Sequence, residues 1–324
     1  MKRALVWLIA IALLWWALRL VPLADIWNVL RGLSPLQIGI LLLVNSSLLL
    51  LFAARWWLIL RTQGYHIPYL TIARYRLAAF GVSYFTPGPH FGGEPLQVYY
   101  LRQNHRVPTD FALAAVSLDK IIELIANFGF LLFGLAVAIS SGVITGANFQ
   151  PFPFAILFLL LPLIYLTALW MQRYPLTWAL SRFPSRLFDV SKFKVIVAGV
   201  QSTEQQVSAF CRQQPGTMLA AFGLSAAVWA GLVFEYWLAL RFLGLELVWW
   251  QLIVAITAAR LSLLTPIPAA LGVLEAGQVL ALSALGFNPA YGISIGVIIR
   301  ARDVFFGLLG LWWGAVSSLK LSKS

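Results

Sequence analysis

The stretch TPGPHFGGE at residues 86–94 decides the fold of this chain, because it recurs in outline as TPIPAALGVLE at residues 265–275. Proline and glycine break a helix, and hydrocarbon cannot satisfy the backbone N–H and C=O groups that a break frees. Both stretches lie in apolar sequence, so we expect each break to be buried in protein or to line a polar cavity. The breaks comprise Thr86, Pro87, Pro89, Gly92 and Gly93 in the first stretch and Thr265, Pro266, Pro268 and Gly272 in the second.

The composition predicts an all-α polytopic membrane protein that forms a single integral membrane domain, residues 1–324. Of the 324 residues, 61% are hydrophobic and 10% are charged, whereas a soluble protein has about 25% charged residues. The mean hydropathy is +0.86. The net charge of +12 does not indicate nucleic-acid binding, because the basic residues lie in short loops, where they report orientation and contact anionic headgroups.

Hydropathy predicts about six full spans and two interrupted segments. The full spans are 4–22, 36–60, 109–140, 153–172, 215–240 and 292–318, and the first is expected to remain uncleaved because no small-x-small site follows it. Segments 76–103 and 248–287 each contain one break. Each half is too short to cross about 30 Å of hydrocarbon at about 1.5 Å per residue. We therefore predict two re-entrant helical hairpins.

The basic residues predict that the N-terminus and the C-terminus are both cytoplasmic, with Arg55, Arg74 and Arg76 on that side. The first hairpin then enters from the cytoplasm and the second from outside. Residues 36–140 and 215–318 are therefore predicted to be inverted repeats, an architecture of secondary transporters. Residues 1–35 would form the first span and a linker. Residues 141–214 would form a further span and an amphipathic cytoplasmic connector, either a plain linker or a regulatory surface.

Charged residues recur in mid-span after each break. Lys120 follows Glu94 by 26 positions, and Arg300 follows Glu275 by 25. A charge at this depth costs at least about 2.5–3.5 kcal/mol, so ionisable residues there are functional candidates by default. The candidates for substrate binding are Glu94, Asp119, Lys120, Glu123, Arg260, Glu275, Arg300, Arg302, Asp303 and His90.

Two interpretations of these charges remain open. They pair with one another and hold the repeats together, or Lys120, Arg300 and Arg302 line a cavity that accepts an anionic group. Arginine suits phosphate because its planar fork donates two parallel hydrogen bonds. Glu94 and Glu275 either cap restarted helices or balance the cations.

Other residues carry weaker signals. His90 is either a proton relay or a spectator, and Arg76 is expected to anchor the first hairpin to headgroups. Glu235 is expected to mark a membrane interface. The lone Cys211 and three histidines without ligand spacing predict no metal site and no cofactor. Because no H-E-x-x-H, P-loop or G-x-S-x-G pattern occurs, we expect no enzymatic activity.

Four stretches, 86–94, 118–123, 268–275 and 300–303, resemble the flippase-like membrane domain of the lysylphosphatidylglycerol synthase type. That family combines a Pro-Gly-Glu element, an acidic-Arg-x-x-Asp helix and a Pro…Gly…Glu-Ala-Gly element. Here Glu275-Ala276-Gly277 matches the last element, whereas the family's Arg and Asp appear as Lys120 and Glu123. Lysine lacks the arginine fork, so the headgroup preference need not follow the family.

The resemblance implies a stand-alone member without the synthase domain, in a bacterial inner membrane. It implies translocation of an anionic, zwitterionic or polyprenyl-linked membrane lipid between leaflets. Two alternatives differ in class: a secondary transporter of a small anion, coupled to protons or sodium through Glu94, Glu275 or Asp119, and a non-transporting partner of a membrane enzyme. The sequence leaves the oligomeric state, the lipid and the direction of transport open.

Overall fold

The computed structural model describes residues 23–86, 92–144, 151–182, 190–265, 270 and 272–321, and within these ranges it contains helices and no β-strand. The prediction of an all-α protein is confirmed. The described helices are α1 (Leu23–Arg31), α2 (Pro35–Thr62), α3 (Tyr69–Phe85), α4 (Glu94–His105), α5 (Thr109–Ser140), α6 (Pro151–Trp170), α7 (Pro175–Ser181), α8 (Val190–Gln213), α9 (Pro215–Phe242), α10 (Trp249–Leu263), α11 (Val273–Ala284) and α12 (Pro289–Leu321).

Proline and capping residues set many of the helix starts. Helices α2, α7 and α9 have proline in their first turn, where its missing N–H would have no intrahelical partner. Ser34 also forms a capping box with Gln37, in which each side chain accepts a hydrogen bond from the backbone of the other residue. These local signals mark the starts of α2, α7 and α9.

The chain leaves the helix at both Thr-Pro-x-Pro stretches, in the same way. The hydroxyl of Thr86 donates to the carbonyl of Ser83 at 3.3 Å, and that of Thr265 donates to the carbonyl of Ser262 at 2.8 Å. After the first break, the Gly93 N–H donates to Ser83 Oγ at 2.9 Å. Five predicted break or site residues lie outside the described residues, namely Pro87, Pro89, His90, Pro266 and Pro268.

The long helices pack in a reciprocal arrangement. Helices α2 and α9 pack against each other, α3 packs against α12, and α10 packs against α5. Glycine allows the closest approaches, because a Cβ on Gly310 would overlap the Leu77 carbonyl and one on Gly134 would overlap the Thr257 side chain. The two short helices after the breaks, α4 and α11, pack against α5 and α12 respectively.

Three described helices, α2, α5 and α9, are long and apolar enough to cross a membrane, and the pair α6–α7, bent by 93°, raises the number to four. Helix α12 has 33 residues but carries Arg300, Arg302 and Asp303 in its middle. The predicted span 4–22 lies outside the described residues. The fold is thus that of a multi-pass helical membrane protein.

The predicted amphipathic connector, which includes α8, is more tightly packed against its neighbours than its polar composition suggested. Glu204 of α8 is buried and accepts hydrogen bonds from the backbone N–H groups of Leu176 and Thr177, both at 3.0 Å, and from the Tyr165 hydroxyl at 3.1 Å. This carboxylate caps α7 and ties α8 to α6. Cys211 is buried on the same helix, and burial raises the pKa of its thiol to about 11, as fits a small apolar filler.

Candidate functional site

A cavity of about 830 Å³ lies among helices α2–α7, α9, α10 and α12. Much of its wall is apolar, with Leu48, Phe52, Val228, Trp229 and Phe306 among the lining residues. Ligand sites of this kind typically combine an apolar wall with a few convergent polar groups. Here the polar groups are charged and come from both halves of the chain.

Helix α6 forms the loosest side of this cavity. Its residues Phe158 and Leu161 line the cavity, yet 49% and 55% of their surfaces are exposed. Helix α6 packs against α5, α7 and α8, and Pro162, which also lines the cavity, interrupts its backbone hydrogen bonding. Helix α6 therefore contributes lining residues that are also exposed on the outside of the bundle.

The first charge cluster consists of Arg55, Arg76, Glu94, Asp119, Lys120 and Glu123. Arg55 of α2 donates to Asp119 at 2.7 Å and to Glu123 at 3.1 Å. Arg76 of α3 contacts the same two carboxylates, with 2.6 Å to Glu123. Asp119 and Glu123 lie one helical turn apart on α5, so both face the two arginines.

Lys120 joins the break to this cluster. Its Nζ lies 3.0 Å from Glu123 and 3.2 Å from Glu94. The other oxygen of Glu94 accepts a hydrogen bond from the Gly92 N–H at 2.8 Å. Glu94 therefore holds the turn before α4 through Gly92 and pairs with the cation Lys120 at the same time.

The second charge cluster consists of Glu235, Glu275, Arg300, Arg302 and Asp303. Arg302 donates to Glu235 of α9 at 2.7 Å and to Asp303 at 2.8 Å. Arg300 Nη2 lies 2.7 Å and 2.8 Å from the two carboxylate oxygens of Glu275. Arg302 and Asp303 line the cavity, whereas Arg300 and Glu275 do not. Arg300 is thus buried behind the cavity wall, which differs from its expected place.

Two hydrogen bonds cross the α2–α9 interface, and each involves one residue of a charge cluster. The Arg55 guanidinium donates to Ser225 Oγ on α9 at 2.9 Å, and the Asn45 amide donates to Glu235 at 3.3 Å. Ser225 follows Asn45 by 180 positions, and Glu235 follows Arg55 by the same number. Each helix therefore offers a short polar side chain to the charged side chain of the other.

Arg260 of α10 differs from the other cations of the site. Its guanidinium lies over the Trp229 ring, 5.1 Å from the centroid, and it lines the cavity. Among the residues that the structure describes, it makes no ion pair and no hydrogen bond. The other five cations of the clusters, Arg55, Arg76, Lys120, Arg300 and Arg302, all contact a carboxylate.

The structure places three charged residues in environments that differ from those predicted from the sequence. Arg55 was expected at the cytoplasmic side, but it is 2% exposed and belongs to the first cluster. Arg76 was expected to anchor headgroups, but it pairs with Asp119 and Glu123. Glu235 was expected at an interface, but it is buried against Arg302. The missed signal was a charge well inside an apolar helix, which itself predicts a buried partner.

The residues at the breaks divide between the cavity wall and the helix ends. Ser83, Gly93 and Glu94 line the cavity from the first break, and Leu263 and Leu264 line it next to the second. Gly92 and Gly272 adopt φ angles of 128° and 75°, which glycine tolerates best. Among the described residues, no group of three or more His, Cys, Asp or Glu is arranged to hold a metal ion.

Comparison with known proteins gives one match over most of the chain. A family model described as the lysylphosphatidylglycerol synthase TM region matches residues 3–310. The chain is 23% identical over 122 residues to UPF0104 membrane protein MJ1595 of Methanocaldococcus jannaschii, which is 38% of this chain and 36% of that protein. It is 32% identical over 103 residues to a UPF0104 membrane protein of Methanothermobacter thermautotrophicus, which is 31% of this chain and 28% of that protein.

These alignments span about a third of the length of either relative. No solved structure matches the chain. The names of both relatives describe membrane proteins and state no activity.

Proposed function

Because the chain belongs to the family of the lysylphosphatidylglycerol synthase TM region, we propose that it moves a membrane lipid between the two leaflets of a bilayer. The substrate would be an anionic, zwitterionic or polyprenyl-linked lipid. The observation that carries the proposal is one cavity with an apolar wall and a charged lining. An amphiphile needs both surfaces, whereas a soluble ion needs only the second.

The size of the cavity supports a partial fit of the lipid. Its volume of about 830 Å³ lies in the range of about 300–1,000 Å³ that holds a drug-sized molecule. This volume accommodates a headgroup and the first part of the acyl chains. In the proposed mechanism the remaining chains stay in the bilayer and pass between helices at the exposed side of α6.

The charged lining would replace the hydration shell of the headgroup. Lys120 and Arg302 line the cavity, where they would contact a phosphate, and Glu94, Asp119, Glu123 and Asp303 would balance these cations or contact an ammonium group. In this proposal Arg300 and Glu275 position the restarted helix α11 rather than touch the lipid, because their ion pair lies outside the lining.

We also propose that α2–α5 and α9–α12 are inverted repeats whose relative motion alternates access to the cavity. The reciprocal hydrogen bonds of Arg55 with Ser225 and of Asn45 with Glu235 support this pairing. The Glu-x-x-Gln pattern that begins at Glu94 recurs at Glu275. Inverted repeats with paired broken helices commonly place the substrate site at the interface between repeats. The cytoplasmic placement of both termini, in a bacterial inner membrane, completes this proposal.

The experiment for this proposal is lipid translocation in liposomes that contain the purified chain. Headgroup-labelled phosphatidylglycerol and phosphatidylethanolamine report their leaflet through chemical quenching from outside. We expect the wild type to speed exchange, and Lys120→Gln and Arg302→Gln to slow it by at least about tenfold, since a hydrogen bond to a charged group contributes about 1.5–3 kcal/mol. Arg241→Gln is the matched control, because Arg241 is exposed beside Glu246.

Labelled lipids of every headgroup that stay in their leaflet, with a folded protein, would reject translocation by this chain alone. That result would favour a non-transporting partner of a membrane enzyme. Full activity of folded Lys120→Gln and Arg302→Gln variants would reject the charged-cavity mechanism while leaving translocation in place.

The second candidate is a secondary transporter of a small anion coupled to protons or sodium. Glu94 favours it, because this carboxylate lines the cavity and its side chain is 26% exposed. Asp119 and Glu275 are weaker candidates for coupling transport to protons or sodium, since each forms an ion pair with one or two arginines. Uptake of radiolabelled phosphate that follows an imposed pH or sodium gradient, without lipid exchange, would favour this candidate.

A further inference from the structure

We propose that Arg260 is a further phosphate-binding residue of the cavity, beside Lys120 and Arg302, so that the substrate is a lipid whose headgroup carries a phosphate. This inference rests on the proposed lipid translocation and narrows its substrate class. The proposed substrate class includes phosphodiester lipids and polyprenyl phosphates. It excludes uncharged lipids such as diacylglycerol.

The first argument is that Arg260 has unused hydrogen-bond donors. The other cations of both clusters contact carboxylates, whereas Arg260 makes no hydrogen bond or ion pair with any residue that the structure describes. A guanidinium has five N–H donors, all in its plane. The central carbon of this group lies over the Trp229 ring, 5.1 Å from the centroid. Its contact with Trp229 is a cation–π contact, and no described acceptor occupies its N–H donors.

The second argument concerns free energy. Removing an ion from water is costly unless the ion is paired and hydrogen-bonded, and a cation–π contact compensates only part of that cost. If Arg260 served only to pack its apolar helix, a leucine could replace it without this desolvation cost. A ligand that pairs with the guanidinium would offset the cost.

The third argument is the balance of charge. The two clusters together with Arg260 contain six cations and six carboxylates, so the site attracts an anion through local contacts rather than through net charge. Arg260 interacts electrostatically with Glu235, Asp303 and Glu123, but also with the cation Arg302. These carboxylates offset part of the cost of this partly buried charge at a distance, while no described residue accepts a hydrogen bond from it.

The direction of approach follows from the spaces around Arg260. A small space of about 10 Å³ lies between Arg260, Glu235 and Arg302, which is about the size of one water molecule. A phosphate does not fit there. It reaches Arg260 from the main cavity, which Arg260 also lines, and from that side the acyl chains can extend along the apolar wall.

The test measures lipid binding to the purified full chain in nonionic detergent by native mass spectrometry. The probes are phosphatidylglycerol, diacylglycerol with the same chains, and inorganic phosphate. The variants are Arg260→Gln, which removes the charge, and Arg260→Lys, which keeps the charge but loses the planar fork. The matched control is Arg241→Gln, because Arg241 also lies over a tryptophan, Trp237, at 5.3 Å but is exposed.

We expect the wild type to prefer phosphatidylglycerol over diacylglycerol by at least about tenfold, because a hydrogen bond to a charged group contributes about 1.5–3 kcal/mol. Arg260→Gln should reduce this preference several-fold, Arg260→Lys should reduce it less, and Arg241→Gln should leave it unchanged. The melting temperature of Arg260→Gln should stay close to that of the wild type, since no ion pair or hydrogen bond between Arg260 and a described residue is lost. A merely structural arginine would instead lower the melting temperature.

Equal affinity for the two lipids in the wild type, or an unchanged preference in folded Arg260→Gln, would overturn the proposal. If Arg260→Gln does not fold, Arg260→Lys is tested in its place, and an unchanged lipid preference in that variant would also overturn the proposal. Inorganic phosphate that binds through Arg260 without any lipid preference would keep the anion site and reject a lipid as its source. Arg260-dependent lipid binding without translocation in liposomes would uphold this inference and reject the proposed transport.

Discussion

At the residue scale, buried charges dominate the interior of this protein. Arg55 and Asp119 are almost inaccessible to solvent, yet they pair at 2.7 Å. Such pairs need good geometry, because the desolvation cost of two ions can exceed their attraction. The hydrogen bond from Arg55 to Ser225 and the second cation, Arg76, supply the additional contacts. The first cluster is therefore stable only as a complete set.

Removing one member of this set should destabilise the fold. We expect Arg55→Ala to lower the free energy of unfolding by about 3–5 kcal/mol, because it leaves carboxylates buried without a full complement of cations. Thermal unfolding in detergent measures the effect. Arg61→Ala is the control on the same helix, since Arg61 is exposed, and it should change stability by less than about 0.5 kcal/mol. An unchanged melting temperature for Arg55→Ala would show that the pairs are not buried in solution.

At the element scale, close helix contacts position the short helices around the cavity. Helices α3 and α12 approach so closely that the Gly81 Cα faces the backbone of Gly307 and Leu311. Small residues at such interfaces allow backbone contact where the hydrophobic effect gives little driving force, as in a bilayer. Helix α12 carries Arg302 and Asp303, so this contact also sets where the second cluster lies.

A single methyl group should disturb that interface. A Cβ on Gly310 would overlap the Leu77 carbonyl, whereas one on Gly39 of α2 would meet no atom within 4 Å. We expect Gly310→Ala to destabilise by about 1–3 kcal/mol through overpacking. Gly39→Ala should be neutral or stabilise by up to about 1 kcal/mol through helix propensity. Comparing the two melting temperatures tests the contact, and equal stability of both variants would mean that α3 and α12 are further apart.

At the scale of the whole molecule, polar contacts tie the two halves of the chain together inside an apolar bundle. Arg55 reaches Ser225 over 170 positions of sequence, and Asn45 reaches Glu235 over 190. If these halves move against each other during transport, as proposed, these two hydrogen bonds lie where the motion must occur.

The stability of the whole protein should depend little on ionic strength. Salt screens exposed charges strongly and buried pairs weakly, and the cluster cations Arg55 and Arg300 are both buried. We expect the melting temperature in nonionic detergent to change by less than about 2 °C between 50 and 500 mM sodium chloride, because surface pairs such as Arg241–Glu246 contribute only about 0–1 kcal/mol. A steep loss of stability with salt would indicate that the clusters are open to bulk solvent.

Sequence alone determined the features that depend on local chemistry. Hydropathy identified the apolar helices, and proline and glycine located the two breaks, because these residues act on the backbone where they stand. The charged residues in the middle of apolar helices, including Asp119, Lys120 and Arg302, could be identified as functional candidates. Charge within an apolar run is costly wherever the helix lies.

Only the tertiary structure decided which charges meet. The assignment of Arg55 and Arg76 to Asp119 and Glu123 depends on how α2 and α3 cross α5, and that crossing depends on packing between residues distant in sequence. The same geometry turns Arg300 away from the cavity and leaves Arg260 beside Trp229. Hydropathy reports how costly a buried charge is, but the partner that offsets the cost is chosen by the three-dimensional packing of the helices.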